Sequence, residues 1–174
     1  MRIWTVGHGA RSADDFVVLL RSAGVQTLID VRRFPGSRRH PQFTRAALAA
    51  TLQEAGIAYV HEVELGGRRR GEPGEERFAC IETPAFRSYA ARMSAPEWQE
   101  ALERSLARPS PCFTCAETLW WRCHRRLIAD LLVARGHEIL HLVRGGETQH
   151  HQLGFDGEIR DGRLFLCGHE VGVP

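Results

Sequence analysis

Five short apolar runs alternate with amphipathic stretches that stop at glycine, and this alternation constrains the fold of the chain more than any other feature. The runs IWTVG (3–7), VQTLIDVR (25–32), IAYVHEV (57–63), SPCFTCAE (110–117) and EILHLV (138–143) read as strands. Between them, residues 12–24, 44–56, 83–94, 95–107 and 123–136 read as helices. Ser12 and Thr44 stand where an N-cap is needed, Asp14 and Asp15 suit the positive end of a helix dipole, and Gly24, Gly56 and Gly136 stand at the stops. Strand and helix in turn, with short joins, predict an α/β fold. We read a single domain over residues 1–174 with a mostly parallel five-stranded sheet flanked by helices. GEIRDGRLFL (157–166), with Asp161-Gly162 in its turn, adds a small C-terminal hairpin. The Gly-rich loop at 65–80 is expected to be the mobile part.

Composition removes several chemistries. The chain has 174 residues, a net charge of +2 and 25% charged residues, which fits a globular protein and does not by itself call for nucleic acid. No apolar run approaches a membrane span, and the N-terminus has no signal-peptide layout, so a cytoplasmic protein with no membrane partner is expected. Lysine and asparagine are absent, and all 23 basic residues are arginine. A lysine Schiff base and a P-loop lysine are therefore excluded, and any anion must be held by arginine, histidine or backbone N–H. Five cysteines, an odd count in a chain of this length, do not suggest a disulfide framework; all five are expected to be thiols.

Ligands of open α/β sheets bind beyond the carboxyl ends of the strands. The residues expected there are His8 after the first strand, then Asp30, Arg32, Arg33, Arg38 and Arg39 in the loop DVRRFPGSRRHPQF (30–43), and Arg68 in GGRRR (66–70). Cys115, Glu117, Cys123, His124 and Arg125 follow the fourth strand. The loops at the opposite edge are plain and Gly-rich. Arginine forks suit phosphate and carboxylate; the bland reading is a solvated charge run, with Asp30 pairing one arginine.

The stretch CAETLWWRCHRRLIADLL (115–132) gathers the reactive groups. Cys123 at the start of a helix, among arginines, has the setting that lowers a thiol pKa. Glu117 and His124 are candidates for proton transfer, Arg122 and Arg125 for holding an oxyanion, and Trp120 or Trp121 for stacking on a base or sugar, one of the two expected buried and the other at the pocket rim. The plainer reading makes the cysteines core fillers. A set of His8, Cys115, Cys123 and His124 lacks the close ligand pairs of structural zinc, and no metal ligands are assigned. His150 and His151 read as surface loop.

The segments TVGHG, DVRRFPGSRRHPQF, YVHEVELGGRRR, FRSYAARM and CAETLWWRCHRRLIADLLVARG, taken in order, resemble the bacterial and archaeal "domain of unknown function 488" family. The resemblance covers nearly the whole chain. It implies a compact α/β domain and no settled activity. Its shared positions fall on Gly7, His8, Asp30, Arg32, Pro35, Ser37, Arg38, Phe43, Gly66, Gly67, Arg68, Cys115, Glu117, Cys123, His124 and Arg125. Gly9 stands where members often carry serine, and Thr44 where they carry asparagine.

Three function classes remain. The first is an enzyme acting on a phosphate-bearing small molecule or nucleotide. In it Arg32, Arg38, Arg68, Arg125, His8 and Trp121 bind substrate, and Glu117, His124, Cys123 and Asp30 do the chemistry. The second is a nucleic-acid-binding or processing protein. The third is a Cys/His metal-binding protein. The sequence names no cofactor and no oligomeric state.

Overall fold

The computed structural model describes residues 1–36 and 38–173. Ser37, one of the shared family positions, lies outside the described residues. The strands are β1 (Arg2–Gly7), β2 (Thr27–Asp30), β3 (Ala58–His61), β4 (Pro111–Cys115), β5 (Glu138–Leu142) and β6 (Thr148–His150), and they form one sheet in the order β3-β2-β4-β1-β5-β6. The first five are parallel, as the alternation requires. The sixth is a short antiparallel edge strand on β5, built from the polar residues Thr148, Gln149 and His150. The C-terminal hairpin gains a third strand: β7 (Glu158–Arg160), β8 (Arg163–Leu166) and β9 (His169–Glu170) form a separate antiparallel sheet.

Helix α1 (Ala13–Ser22) starts at Ser12, whose hydroxyl accepts from the Asp15 N–H, and α2 (Arg45–Glu54) starts at Thr44, which accepts from Ala47. Both pack on one face of the sheet, through Phe16, Leu20, Leu48 and Leu52 against Val6, Leu28 and Cys112. The other face carries α3 (Pro84–Arg92), α4 (Pro96–Leu106) and α5 (Arg125–Ala134), with Trp98, Leu102, Leu127 and Ile128 against Ile3, Ile29 and Phe113. Period-two alternation along a strand decides which side chain meets which layer. It turns Cys112 toward α1 and α2, and Phe113 and Cys115 toward α5.

The chain after β1 and β2 passes to one face and the chain after β4 to the other. The loops therefore part at the carboxyl end of β4, which opens a crevice there. Gly7 lies so close to this crevice that a Cβ on it would sit 1.9 Å from the Glu117 carbonyl oxygen.

One expectation is corrected. Cys80 and Cys167, 87 positions apart, form a disulfide rather than remaining thiols, and they tie the C-terminal sheet to the segment before α3. The loop at 65–80 is anchored near its ends, where Leu65 and Phe78 are buried in two 3-10 turns, and Arg69 donates to the carbonyls of Val63, Glu64 and Gly66; Arg68, Arg70, Gly71 and Pro73 between them are exposed. Its glycines give it turns, while its apolar residues are taken up by the core. No helix among the described residues is long and apolar enough to cross a membrane.

Candidate functional site

A cavity of about 650 Å³ lies at the carboxyl edge of the sheet, a volume typical of small-molecule sites. It is lined by Arg32, Arg33, Arg68 and Arg122, by His8, Cys115, Cys123 and His124, and by Glu117 as its one carboxylate among the described residues. Phe34 and Phe86 contribute aromatic wall. Residues from five separate parts of the chain thus meet in one place.

The wall beside β1 and β2 is internally paired. Asp30 is fully buried; its Oδ1 accepts from the Arg32 N–H and Nε, and its Oδ2 from Arg32 Nη2 at 2.6 Å and the Tyr59 hydroxyl at 2.7 Å. Arg32 Nη1 donates to the Phe43 carbonyl and to His8 Nε2 at 3.2 Å. Asp30 therefore anchors Arg32 rather than lining the cavity, and Arg32 meets the cavity with its charge already matched. His8 donates from Nδ1 to the Gly9 carbonyl and stacks on Phe43 at 4.2 Å. Burial lowers its pKa to about 4, the Arg32 cation adds to that, and the Gly9 carbonyl opposes it. His8 is therefore a neutral imidazole with a fixed tautomer.

The opposite wall is built by β4 and the start of α5. Helix α5 begins two residues later than its periodicity predicts, with His124 as N-cap and Cys123 just before it. Cys123 is 4% exposed, and its sulfur accepts from Arg125 Nε at 3.4 Å and lies 3.6 Å from His124 Nδ1. Burial pushes the Cys123 thiol up, but hydrogen bonding from Cys115, the His124 ring and the Arg125 guanidinium outweigh it and hold the pKa well below the ordinary thiol range. Cys115 moves the other way, held protonated chiefly by its hydrogen bond to Cys123 and further by burial. His124 donates from Nε2 to the Val31 carbonyl at 3.1 Å, which turns its Nδ1 toward the sulfurs. Gly67 packs on this ring so closely that a Cβ there would lie 2.5 Å from Nδ1. Tyr89, whose hydroxyl bonds to the Leu65 carbonyl, supports the ring from within the core.

Arg125 is 1% exposed, so its role is internal: besides Cys123 it bonds the Glu117 carbonyl and the Thr5 hydroxyl, the latter at 3.3 Å. From Thr5 a buried chain continues to His141 Nδ1 at 2.7 Å, from His141 Nε2 to His151 Nδ1 at 2.9 Å, and from His151 Nε2 to Asp130 at 2.7 Å. With Asp130 ionised, only one proton arrangement satisfies every link with both imidazoles neutral. Arg125 donates to Thr5, Thr5 to His141, His141 to His151, and His151 to the Asp130 carboxylate. Burial, with His151 and Arg125 adding to it, lowers the pKa of His141 to about 2. The His151 side chain is thus buried, against the surface-loop expectation, while His150 is exposed.

Not every expected residue joins the pocket. Arg38 is exposed and does not line it. Trp121, 43% exposed, meets Trp120 edge to face and faces a separate groove with Arg126 and Gln149. Trp120 is only half-buried, stacked on His141 at 4.2 Å. Glu117 is exposed at the cavity mouth, and its Oε1 accepts from the Leu119 N–H. Arg33, Arg68 and Arg122 are the lining arginines for which no carboxylate partner is described. Phe34, 65% exposed on the cavity wall, had no sequence signal beyond its place in the arginine loop.

No curated protein and no solved structure matches the chain. A family model described as "Domain of unknown function DUF488" matches residues 12–132, well over half of the chain. The matched segment carries Asp30, Arg32, Arg68 and the whole Cys115–Arg125 wall of the cavity, and the chain belongs to the DUF488 family.

Proposed function

We propose that the protein is an enzyme acting on a phosphate-bearing small molecule or nucleotide. The observation that carries this reading is the union, in one cavity of about 650 Å³, of three arginines without described carboxylate partners and the Cys115–Cys123–His124 cluster. Arg33, Arg68 and Arg122 would hold the anion as bidentate donors. Glu117, at the mouth with one carboxylate oxygen uncommitted, is the group suited to take a proton. His124 serves the sulfurs, since its Nε2 is committed to Val31. Asp30 and Arg125 act through other residues: Asp30 fixes Arg32 and His8, and Arg125 fixes Cys123.

Titration calorimetry with inorganic phosphate and with a nucleoside monophosphate tests the reading. Binding should weaken about tenfold or more in Arg68→Ala and Arg122→Ala, as expected when a charge-assisted pair is removed. It should be unchanged in Arg38→Ala. Equal binding by all three variants, or none by the unaltered protein, overturns the proposal.

A further inference from the structure

We propose that Cys115, Cys123 and His124 form a three-ligand site for Zn²⁺, with the fourth coordination position open to the arginine-lined pocket. The two sulfurs and a His124 ring nitrogen lie within 4.8 Å of one another, and no other His/Cys/Asp/Glu group among the described residues has three members so disposed. Tetrahedral zinc, with Zn–S near ~2.3 Å and Zn–N near ~2.0 Å, separates its ligand atoms by roughly 3.5–3.8 Å. The Cys123 sulfur and His124 Nδ1 already stand 3.6 Å apart. Two thiolates and an imidazole are the donor set that a borderline-soft ion selects over magnesium or calcium.

The surroundings carry the proposal further than the spacing does. Metal-bound histidines donate their second nitrogen to a carbonyl or carboxylate, and metal-bound thiolates accept N–H bonds. Here His124 Nε2 bonds the Val31 carbonyl at 3.1 Å, so Nδ1 is the nitrogen turned toward the sulfurs and is the one that would bind the ion. Arg125 Nε donates to the Cys123 sulfur at 3.4 Å. Gly67 gives the ring its place, since any side chain there would collide with it. The Cys-x7-Cys-His spacing is poor for structural zinc, whose ligands come in close pairs and close the shell. A strand end and a helix start supply these three instead, which matches the three-ligand, open form. All three residues line the cavity, so the open position faces whatever the arginines hold. The ion depends on the preceding reading only for what meets that position.

The experiment is cobalt and zinc titration of the purified protein, after a thiol assay confirms that Cys112, Cys115 and Cys123 are free. One Co²⁺ per chain should bind, with the intense visible bands of tetrahedral cobalt and near-ultraviolet thiolate charge transfer, and Zn²⁺ should displace it. Cys115→Ser, Cys123→Ser and His124→Gln should each abolish the bands. Cys112→Ala, on the other face of the sheet, should keep them. Arg125→Lys should weaken binding roughly ten- to hundredfold. Arg68→Ala should weaken phosphate binding but keep cobalt, which separates the two proposals. Absence of thiolate bands in folded protein, their persistence in Cys115→Ser or His124→Gln, or a count of one thiol because Cys115 and Cys123 are joined, overturns the site.

Discussion

Arg125 donates from Nε to the Cys123 sulfur at 3.4 Å, and both side chains are buried. A buried cation bonded to a sulfur favours the thiolate. In metal-free Arg125→Met, thiolate absorbance followed against pH should show Cys123 titrating at higher pH. Well below the midpoint, raising it by about one pH unit means about a tenfold loss of thiolate at fixed pH. Thr5→Val, which unfastens Arg125 from the His141–His151–Asp130 chain, should move the curve the same way by less. An unmoved curve in both variants would remove the role given to Arg125.

His8 and His141 make the fold sensitive to acid. Both are neutral bases whose pKa values are depressed by burial, to about 4 and about 2 respectively. The unfolded chain protonates them near ~6.5. Between that value and each folded value the unfolded state binds more protons, so stability is full above ~6.5 and declines as pH drops. Urea unfolding across this range should show the decline. His8→Gln should flatten the part between pH ~6.5 and ~4, and an unchanged slope there would count against the buried neutral imidazole.

On the proposed reading, Phe34 should distinguish a nucleotide from a bare phosphate. It is 65% exposed on the cavity wall, with the Arg33 guanidinium 5.4 Å from the ring centroid. Stacking of a base is worth about 1–3 kcal/mol. Phe34→Ala should weaken nucleoside monophosphate binding about tenfold while leaving inorganic phosphate alone. Equal effects on both ligands would mean that the ring shapes the loop and does not meet a base.

The Cys80–Cys167 bond closes a span of 87 positions. Chain-entropy reasoning assigns such a closure about 4 kcal/mol. Cys167→Ser should lower the unfolding midpoint accordingly in denaturant, and reduction of the unaltered protein should match it. A midpoint indifferent to both would show that the C-terminal sheet holds its place without the bond.

The parallel sheet was legible because each central strand is an apolar run between a helix stop and a polar loop, which few other structures tolerate. β6 was not, since Thr148, Gln149 and His150 are polar and pair only because the edge of β5 is free to receive them. At the site, chemistry was legible and pairing was not. Asp30 and Arg32 stood out as charged residues at a strand end, but only the fold shows them bonded to each other and buried. Cys115 read as filler because the sequence holds no measure of how far a strand end lies from the next helix start. His151 read as surface because its partner, Asp130, sits on a helix 21 positions earlier. Trp121 looked like the stacking residue, yet its position beside Trp120 turns it to another groove, and Phe34 takes the wall instead.

The Cys80–Cys167 bridge also sorts the cavity by covalent topology. Cys115, Glu117, Cys123 and His124 belong to the ring that it closes, whereas His8, Arg32, Arg33 and Arg68 belong to the N-terminal arm outside it. A protease cut within the ring would leave one molecule still linked through sulfur. Subsequent reduction would then part the arm that carries Arg32, Arg33 and Arg68 from any stretch of chain beyond the cut, so two insults in sequence are needed to dismantle the pocket by that route.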